Sequence, residues 1–173
     1  ANLFTVDPDG SNLRQLTDGP HHNYNACWLP DGGIAFLSTR SSRFAYCWVS
    51  PVGILHRMER DGSVVTQVSA NIVNDFTPSV LSDGRIIYSR WEYVDKTALY
   101  MQSLWTANPD GTQETALFKN NLVRPTAVLD ARPVPGSDLI VASLTPHNGQ
   151  SVGAIAMLNP KLGKNNLGAL TNF

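Results

Sequence analysis

A hairpin recurs along this chain about every fifty residues, and a repeat of that length restricts the fold more than any other property of the sequence. Trp28 to Arg40 reads WLPDGGIAFLSTR, in which the turn cluster Pro30, Asp31, Gly32 and Gly33 is flanked by apolar, aromatic and β-branched residues. Val80 to Arg90, VLSDGRIIYSR, repeats it with Asp83 placed 52 positions after Asp31. Val134 to Leu144, VPGSDLIVASL, repeats it more loosely around Pro135, Gly136 and Ser137.

A second hairpin alternates with the first. It reads LFTVDPDGS from Leu3, LHRMERDGS from Leu55, LWTANPDGT from Leu104 and IAMLNPKLG from Ile155. Its Asp-Gly pairs begin at Asp9, Asp61 and Asp110, in steps of 52 and 49 residues. Two interleaved series with one period make a four-stranded antiparallel unit, which is the pattern of a β-propeller blade. The expected fold is therefore all-β, a partial propeller of about three and a half blades: a half blade over 1–17, then blades over 18–69, 70–119 and 120–173.

The 173 residues are enough to bury a core, and the 42% hydrophobic content is ordinary for a globular protein. A net charge of −1 supplies no electrostatic reason to bind nucleic acid or an anionic membrane. No apolar run approaches the length of a membrane-spanning helix, and no leader pattern opens the chain. A short array leaves sheet faces and edges open, so further blades of the same polypeptide, a second copy or other subunits are the expected partners.

With strands labelled a to d within each blade, the a strands are expected at 24–29, 77–81 and 131–134, and the b strands at 34–39, 85–89 and 139–144. The c strands follow at 3–6, 54–57, 103–107 and 154–158, and the d strands at 14–17, 65–68, 115–118 and 167–170. Antiparallel order then sends every tight turn to one end of the blades and every long connection to the other. The long-loop end holds His21, His22 and Asn23, then Arg43, Tyr46, Cys47 and Trp48, then Arg90, Trp91, Glu92, Tyr93 and Asp95, and last His147 and Asn148. Long ordered loops are costly in entropy, which makes this end the expected binding face.

The candidate ligand-binding residues are His21, His22, Asn25, Arg40, Arg90, Tyr93, Asp95, Arg132 and His147. His21, His22 and His147 carry the chemistry to hold a divalent metal, or serve as hydrogen-bond anchors of their loops. Arg40 and Arg90 both end b strands, 50 residues apart, and Arg132 lies in an a strand. Their guanidinium groups either meet an anionic ligand near the axis or tie blades to carbonyls and to Asp75, Asp95 or Asp130. Most of the aromatic residues are expected between blades, with Trp48, Trp91 and Tyr93 in loops as a stacking surface. The repeated turn aspartates are explained by backbone geometry. Cys27 and Cys47 form a disulfide if the protein is exported, or stand as two separate thiols.

WLPDGGIAFLSTR together with LFTVDPDGSNLRQLT resembles the repeat of TolB-type β-propellers. The segments RMERDGSVVTQVSANIVNDFTPSVLSDGRIIYSRWEYVD, SLWTANPDGT and VPGSDLIVASLTPHNGQSVGAIAMLNP resemble the propeller region of hydrazine synthase alpha-subunit-like proteins, which are large exported bacterial proteins. That resemblance implies a periplasmic, extracellular or internal-compartment location, and a redox assembly of nitrogen metabolism whose c-type haem sits in neighbouring domains. This chain carries no Cys-x-x-Cys-His, so the implied role of these residues is a non-catalytic scaffold and binding module. The other reading rests on a similarity to oligosaccharide lyases built on TolB-like propellers: a metal-dependent enzyme with His21, His22 and His147 around its metal.

Overall fold

A computed structural model describes residues 1–46, 49–93, 95–148 and 150–171. Cys47, on which a pairing with Cys27 depends, and Trp48, named for stacking, lie outside the described residues.

The strands form in the order the two hairpin series dictate. β1 (Phe4–Thr5) pairs antiparallel with β2 (Arg14–Gln15) as a two-stranded sheet. β3 (Asn23–Trp28), β4 (Ile34–Ser38), β5 (Ile54–Met58) and β6 (Thr66–Gln67) make a four-stranded meander. β7 (Asp75–Val80), β8 (Ile86–Trp91), β9 (Gln102–Ala107) and β10 (Thr115–Phe118) make the next. β11 (Ala127–Pro133), β12 (Ile140–Thr145) and β13 (Ala154–Leu158) make a third, joined to the second by one parallel pair, Ala127 with Gln102.

The fourth strand expected at 167–170 is corrected. Leu167–Ala169 is a turn of 3-10 helix, because the Asn166 side chain accepts from Gly168 N at 2.9 Å and closes the backbone there. The segment still runs beside β13, through a bridge of Leu170 with Leu158 and a bond of 2.9 Å from Thr171 N to Met157 O. Trp91, expected in a loop, ends β8, since it pairs with Gln102 at the start of β9. β11 starts earlier than expected, because the buried residues Ala127, Val128 and Leu129 pair with Thr145, Leu144 and Ser143.

The c-to-d turns repeat one hydrogen-bond set. Asp9, Asp61 and Asp110 each accept from both the backbone N–H and the hydroxyl of the residue two further on, Ser11, Ser63 and Thr112. These bonds hold the three exposed carboxyls below the usual range. Gly10, Gly62 and Gly111 follow at φ of 87°, 88° and 86°, which explains the glycine in each Asp-Gly pair.

Alternation along the strands sorts side chains into the layers between sheets. Leu37 and Leu55 of one meander meet Ile86, Tyr88 and Ala107 of the next. Ile87, Leu104 and Phe118, from the opposite face of that second meander, meet Val128, Ile140, Ala142 and Leu158 of the third. Ile34, Phe36 and Met58 pack on Leu3 and Leu16 at the other end. The first strands β3, β7 and β11 are neighbours, so each sheet presents its leading edge to one common side.

Each of these leading strands carries the same irregularity. The pairing shifts between Tyr24 and Cys27, between Phe76 and Ser79, and between Leu129 and Arg132. Within each shift one non-glycine residue takes a left-handed conformation: Asn25 at φ 50°, Thr77 at 45° and Asp130 at 52°. A β-bulge thus recurs once per repeat on the strand nearest the common side.

Candidate functional site

Contacts between successive connections gather at the two ends of the sheets as the antiparallel order requires. At the tight-turn end Pro30, Asp31, Asp83, Gly84, Asn108 and Pro109 share one shallow cleft. At the other end the long connections meet each other. Glu92 Oε2 receives Lys96 Nζ at 3.1 Å and Asn120 Nδ2 at 2.9 Å, and Lys96 Nζ also donates to Asn120 O at 3.2 Å. Lys119 is fully buried with its Nζ donating to Tyr100 O, and burial pushes its pKa down to about 8.

The long-loop end carries an aromatic row supplied by three successive b-to-c connections. Trp91 and Tyr93 stack with ring centroids 5.9 Å apart and planes 8° from parallel. Tyr46 leans on Tyr93 at 6.2 Å, and His147 on Trp91 at 5.4 Å. Trp91 is buried among Ala45, Val52, Ile54 and Val73, and its Nε1 donates to Ala98 O at 2.8 Å. It anchors the row, while Tyr46 is 70% exposed. Gln102 Nε2 donates to His147 Nδ1 at 3.0 Å, which leaves the ring proton on Nε2. Burial lowers the His147 pKa and favours this neutral form.

Of the residues singled out in the sequence, Tyr93 and His147 are thus brought together around Trp91. The rest lie in other groups. His22 is exposed, with its backbone N–H bonded to Thr39 Oγ1 at 3.0 Å, and the His21 carbonyl accepts from Asn23 Nδ2 at 3.4 Å. Among the described residues no group of three or more His, Cys, Asp or Glu side chains is placed to hold a metal ion. Asp95 is exposed at φ 56°.

Of the three arginines, one ties sheets together and two are held by groups of their own sheets. Arg40 keeps its charge within its own sheet, donating to Ser38 Oγ at 3.0 Å and Asn23 Oδ1 at 3.2 Å. Arg90 pairs with Glu114 at 2.6 Å and covers the Trp105 ring at 4.6 Å. Arg132 ties one sheet to another, reaching Pro78 O at 3.4 Å. Beside it Asp130 N donates to Thr77 Oγ1 at 3.1 Å, so two of the three recurring bulges touch. Asn25 occupies the exposed third bulge. Cys27 follows in the same strand, its thiol pushed up to about 11 by burial although Arg132 opposes the shift.

Sequence reasoning took Asp75 only as an arginine contact, whereas its hydrogen bonds come from other groups. Asp75 is fully buried where the first two meanders meet, and accepts from Leu55 N at 3.1 Å, Asn71 Nδ2 at 3.0 Å and Ser69 Oγ. Burial pushes its pKa up to about 6 against these hydrogen bonds and the Arg90 charge. Glu114, which receives both Arg90 and the Tyr88 hydroxyl, was also missed. It sits between the tight turn and β10, where nothing in the local pattern distinguishes it from a solvated acid.

No family model matches the chain, and no curated protein matches it in sequence. Solved structures do. Hydrazine synthase from Kuenenia stuttgartiensis superposes with a TM-score of 0.72 at 16% identity, over 92% of this chain and 28% of that one. The TolB protein of Agrobacterium tumefaciens gives 0.64 at 15% identity, over 90% of this chain and 51% of that one. The tricorn protease gives 0.61 at 15% identity, over 98% of this chain and 16% of that one. The chain spans about a quarter to a half of the length of the first two neighbours. At such identities the likeness is one of fold, and on it and the sheet topology together the chain is all-β with a propeller-like arrangement of antiparallel sheets.

Proposed function

We propose that this chain is the scaffold and binding module of a larger exported bacterial protein, with 1–17 as a half blade and 18–69, 70–119 and 120–173 as three blades of a propeller. The observation that carries the reading is the row Tyr46, Tyr93, Trp91 and His147, in which connections from three successive sheets meet on one surface. A buried tryptophan holding half-exposed rings in place is how a protein surface supplies contact area at low entropic cost. The row has the composition of a protein interface, in which Trp and Tyr carry most of the energy.

The assembly in view is a redox one, on the strength of the sequence resemblance to hydrazine synthase alpha-like proteins and the likeness in fold to a hydrazine synthase. Haem c belongs in this reading to neighbouring domains, and the residues of this chain bind and orient. Tyr46→Ala in the full-length protein tests it. The substitution removes an exposed ring, so the melting temperature should hold while affinity for the neighbouring subunit falls about tenfold, ~1.4 kcal/mol. Unchanged affinity would remove the loop face from the function.

A further inference from the structure

The aromatic row on the long-loop face is held from behind by one buried amide. Trp91, its anchor, has both main-chain groups bonded to the connection between the first two meanders. Trp91 N donates to Asn74 O at 3.0 Å, and Trp91 O accepts from Asn71 Nδ2 at 2.9 Å. Asn71 is 1% exposed, and the same Nδ2 donates to Asp75 Oδ1 at 3.0 Å and to Asn74 O at 3.2 Å. A single nitrogen thus joins the carboxyl of Asp75 to the carbonyl of Trp91.

The other oxygen of the carboxyl is also engaged. Asp75 Oδ2 accepts from Leu55 N at 3.1 Å and from Ser69 Oγ, and Ser69 Oγ itself accepts from Leu55 N at 3.0 Å. Of these donors the Asn71 amide nitrogen and the Leu55 N–H have no lone pair to offer in return, so an added proton must break a bond. On Oδ1 it points at Asn71 Nδ2; on Oδ2 it displaces Leu55 N–H or the Ser69 hydroxyl hydrogen. The charged and titratable groups around the carboxyl, among the described residues, are Arg90 and Tyr88 of β8 and Tyr24 of β3. Arg90 and the Tyr88 hydroxyl both bond Glu114, and neither takes the place of Asn71. The repeat shows that this position has no need of a charge. Asn23 opens β3 as Asp75, 52 positions on, opens β7, and its side-chain oxygen accepts from Ser38 Oγ at 2.8 Å.

We propose that Asp75 is a pH-dependent positioning residue for the aromatic row: its carboxylate holds Asn71 on the Trp91 carbonyl, and its protonation releases Asn71 and loosens Trp91 with the Tyr93 and His147 rings that rest on it. The consequence for binding rests on the loop-face reading above and names the regulation of that face. Burial pushes the Asp75 pKa up to about 6, which brings the change close to neutral pH. With the ordered row confined to the ionised form, affinity for a partner falls about tenfold from pH 7 to pH 5, as the ionised fraction does. The fold itself does not weaken from this group on acidification, because a raised folded pKa favours the native state at low pH. Binding and folding thus respond to the same proton with opposite signs.

The test follows the protein by NMR from about pH 4.5 to 7.5, with nitrogen-15 in the tryptophan indoles and carbon-13 in the aspartate carboxyls. The Trp91 indole N–H, which donates to Ala98 O at 2.8 Å, should move with the same midpoint as the Asp75 carboxyl. Asp75→Asn, for which Asn23 is the precedent in the fold, should leave the Trp91 signal flat over the whole range. Asn71→Ala should keep the Asp75 titration and abolish the movement of Trp91. His147→Gln removes the other titrating ring in contact with Trp91 and should leave that movement in place. A Trp91 signal that does not follow Asp75, that still follows it in Asn71→Ala, or that goes flat in His147→Gln overturns the proposal. The titration is read without a partner, so its failure leaves a Tyr46 result standing, and unchanged affinity in Tyr46→Ala leaves the coupling of Asp75 to Trp91 intact.

Discussion

Asp75 concentrates at one residue the conflict between burial and charge that runs through the joints of this molecule. Its folded pKa of about 6 lies above the ordinary value of 3.8, so as pH rises from about 4 to 6 the unfolded chain releases its proton first. Stability from this group is present below that window and is lost across it, by about 3 kcal/mol for a shift of this size. The exposed turn aspartates act with the opposite sign and at lower pH, since their folded values are depressed. Carbon-13 NMR of the Asp75 carboxyl should give a midpoint near 6. A midpoint at or below the ordinary carboxylate value would show that hydrogen bonds from Leu55, Asn71 and Ser69 outweigh burial. The sequence named Asp75 only as a partner for arginine, because burial by another sheet leaves no mark on the residues next to it.

Among the elements, the tight turns of the two hairpin series show how a left-handed glycine takes on different loads. Gly62 and Gly111 share a left-handed backbone with Gly32, but their surroundings differ. A Cβ on Gly62 would stand 2.5 Å from Leu16 O and one on Gly111 2.8 Å from Val68 O, each just past the outer strand of the preceding sheet, while one on Gly32 meets nothing within 4 Å. Gly32→Ala should therefore cost only the backbone preference, about 1–2 kcal/mol, and Gly62→Ala a further 1–3 kcal/mol or so from the clash. Urea denaturation of the two variants measures the difference, and equal costs would mean that the preceding sheet moves aside freely. The turns themselves were legible from Asp-Gly. That two of them are also points of close approach between sheets was not, since the contacted carbonyls lie more than forty residues away in the chain. The 3-10 turn in place of a last strand has a local cause in the Asn166 cap, overlooked because the leucines around it continue the repeat.

Over the whole molecule, equivalent positions differ in energy according to what stacks on them. Leu104 and Ile155 occupy the same place in the second hairpin, yet Leu104 is fully buried and Ile155 is 71% exposed. Leu104→Ala should cost about 2–5 kcal/mol and Ile155→Ala about 0.5 kcal/mol or less in thermal or urea unfolding of residues 1–173. A large cost at Ile155 would mean that the outer face of the third sheet is covered in solution. In a repeat array stability is a sum of sheets and joints, so a covered face should appear as an added joint.

The sequence by itself determined every strand but the one expected at 167–170, their antiparallel order within each sheet and the end at which each connection emerges, because period-two alternation and Asp-Gly turns act over a few residues. It also separated Tyr93 and His147 as members of one face. The tertiary structure alone decided which side chains on that face touch, with Trp91 between them, and which charges are consumed inside the joints. Those outcomes depend on how one sheet seats on the next, a matter of packing between residues fifty positions apart to which no local pattern refers.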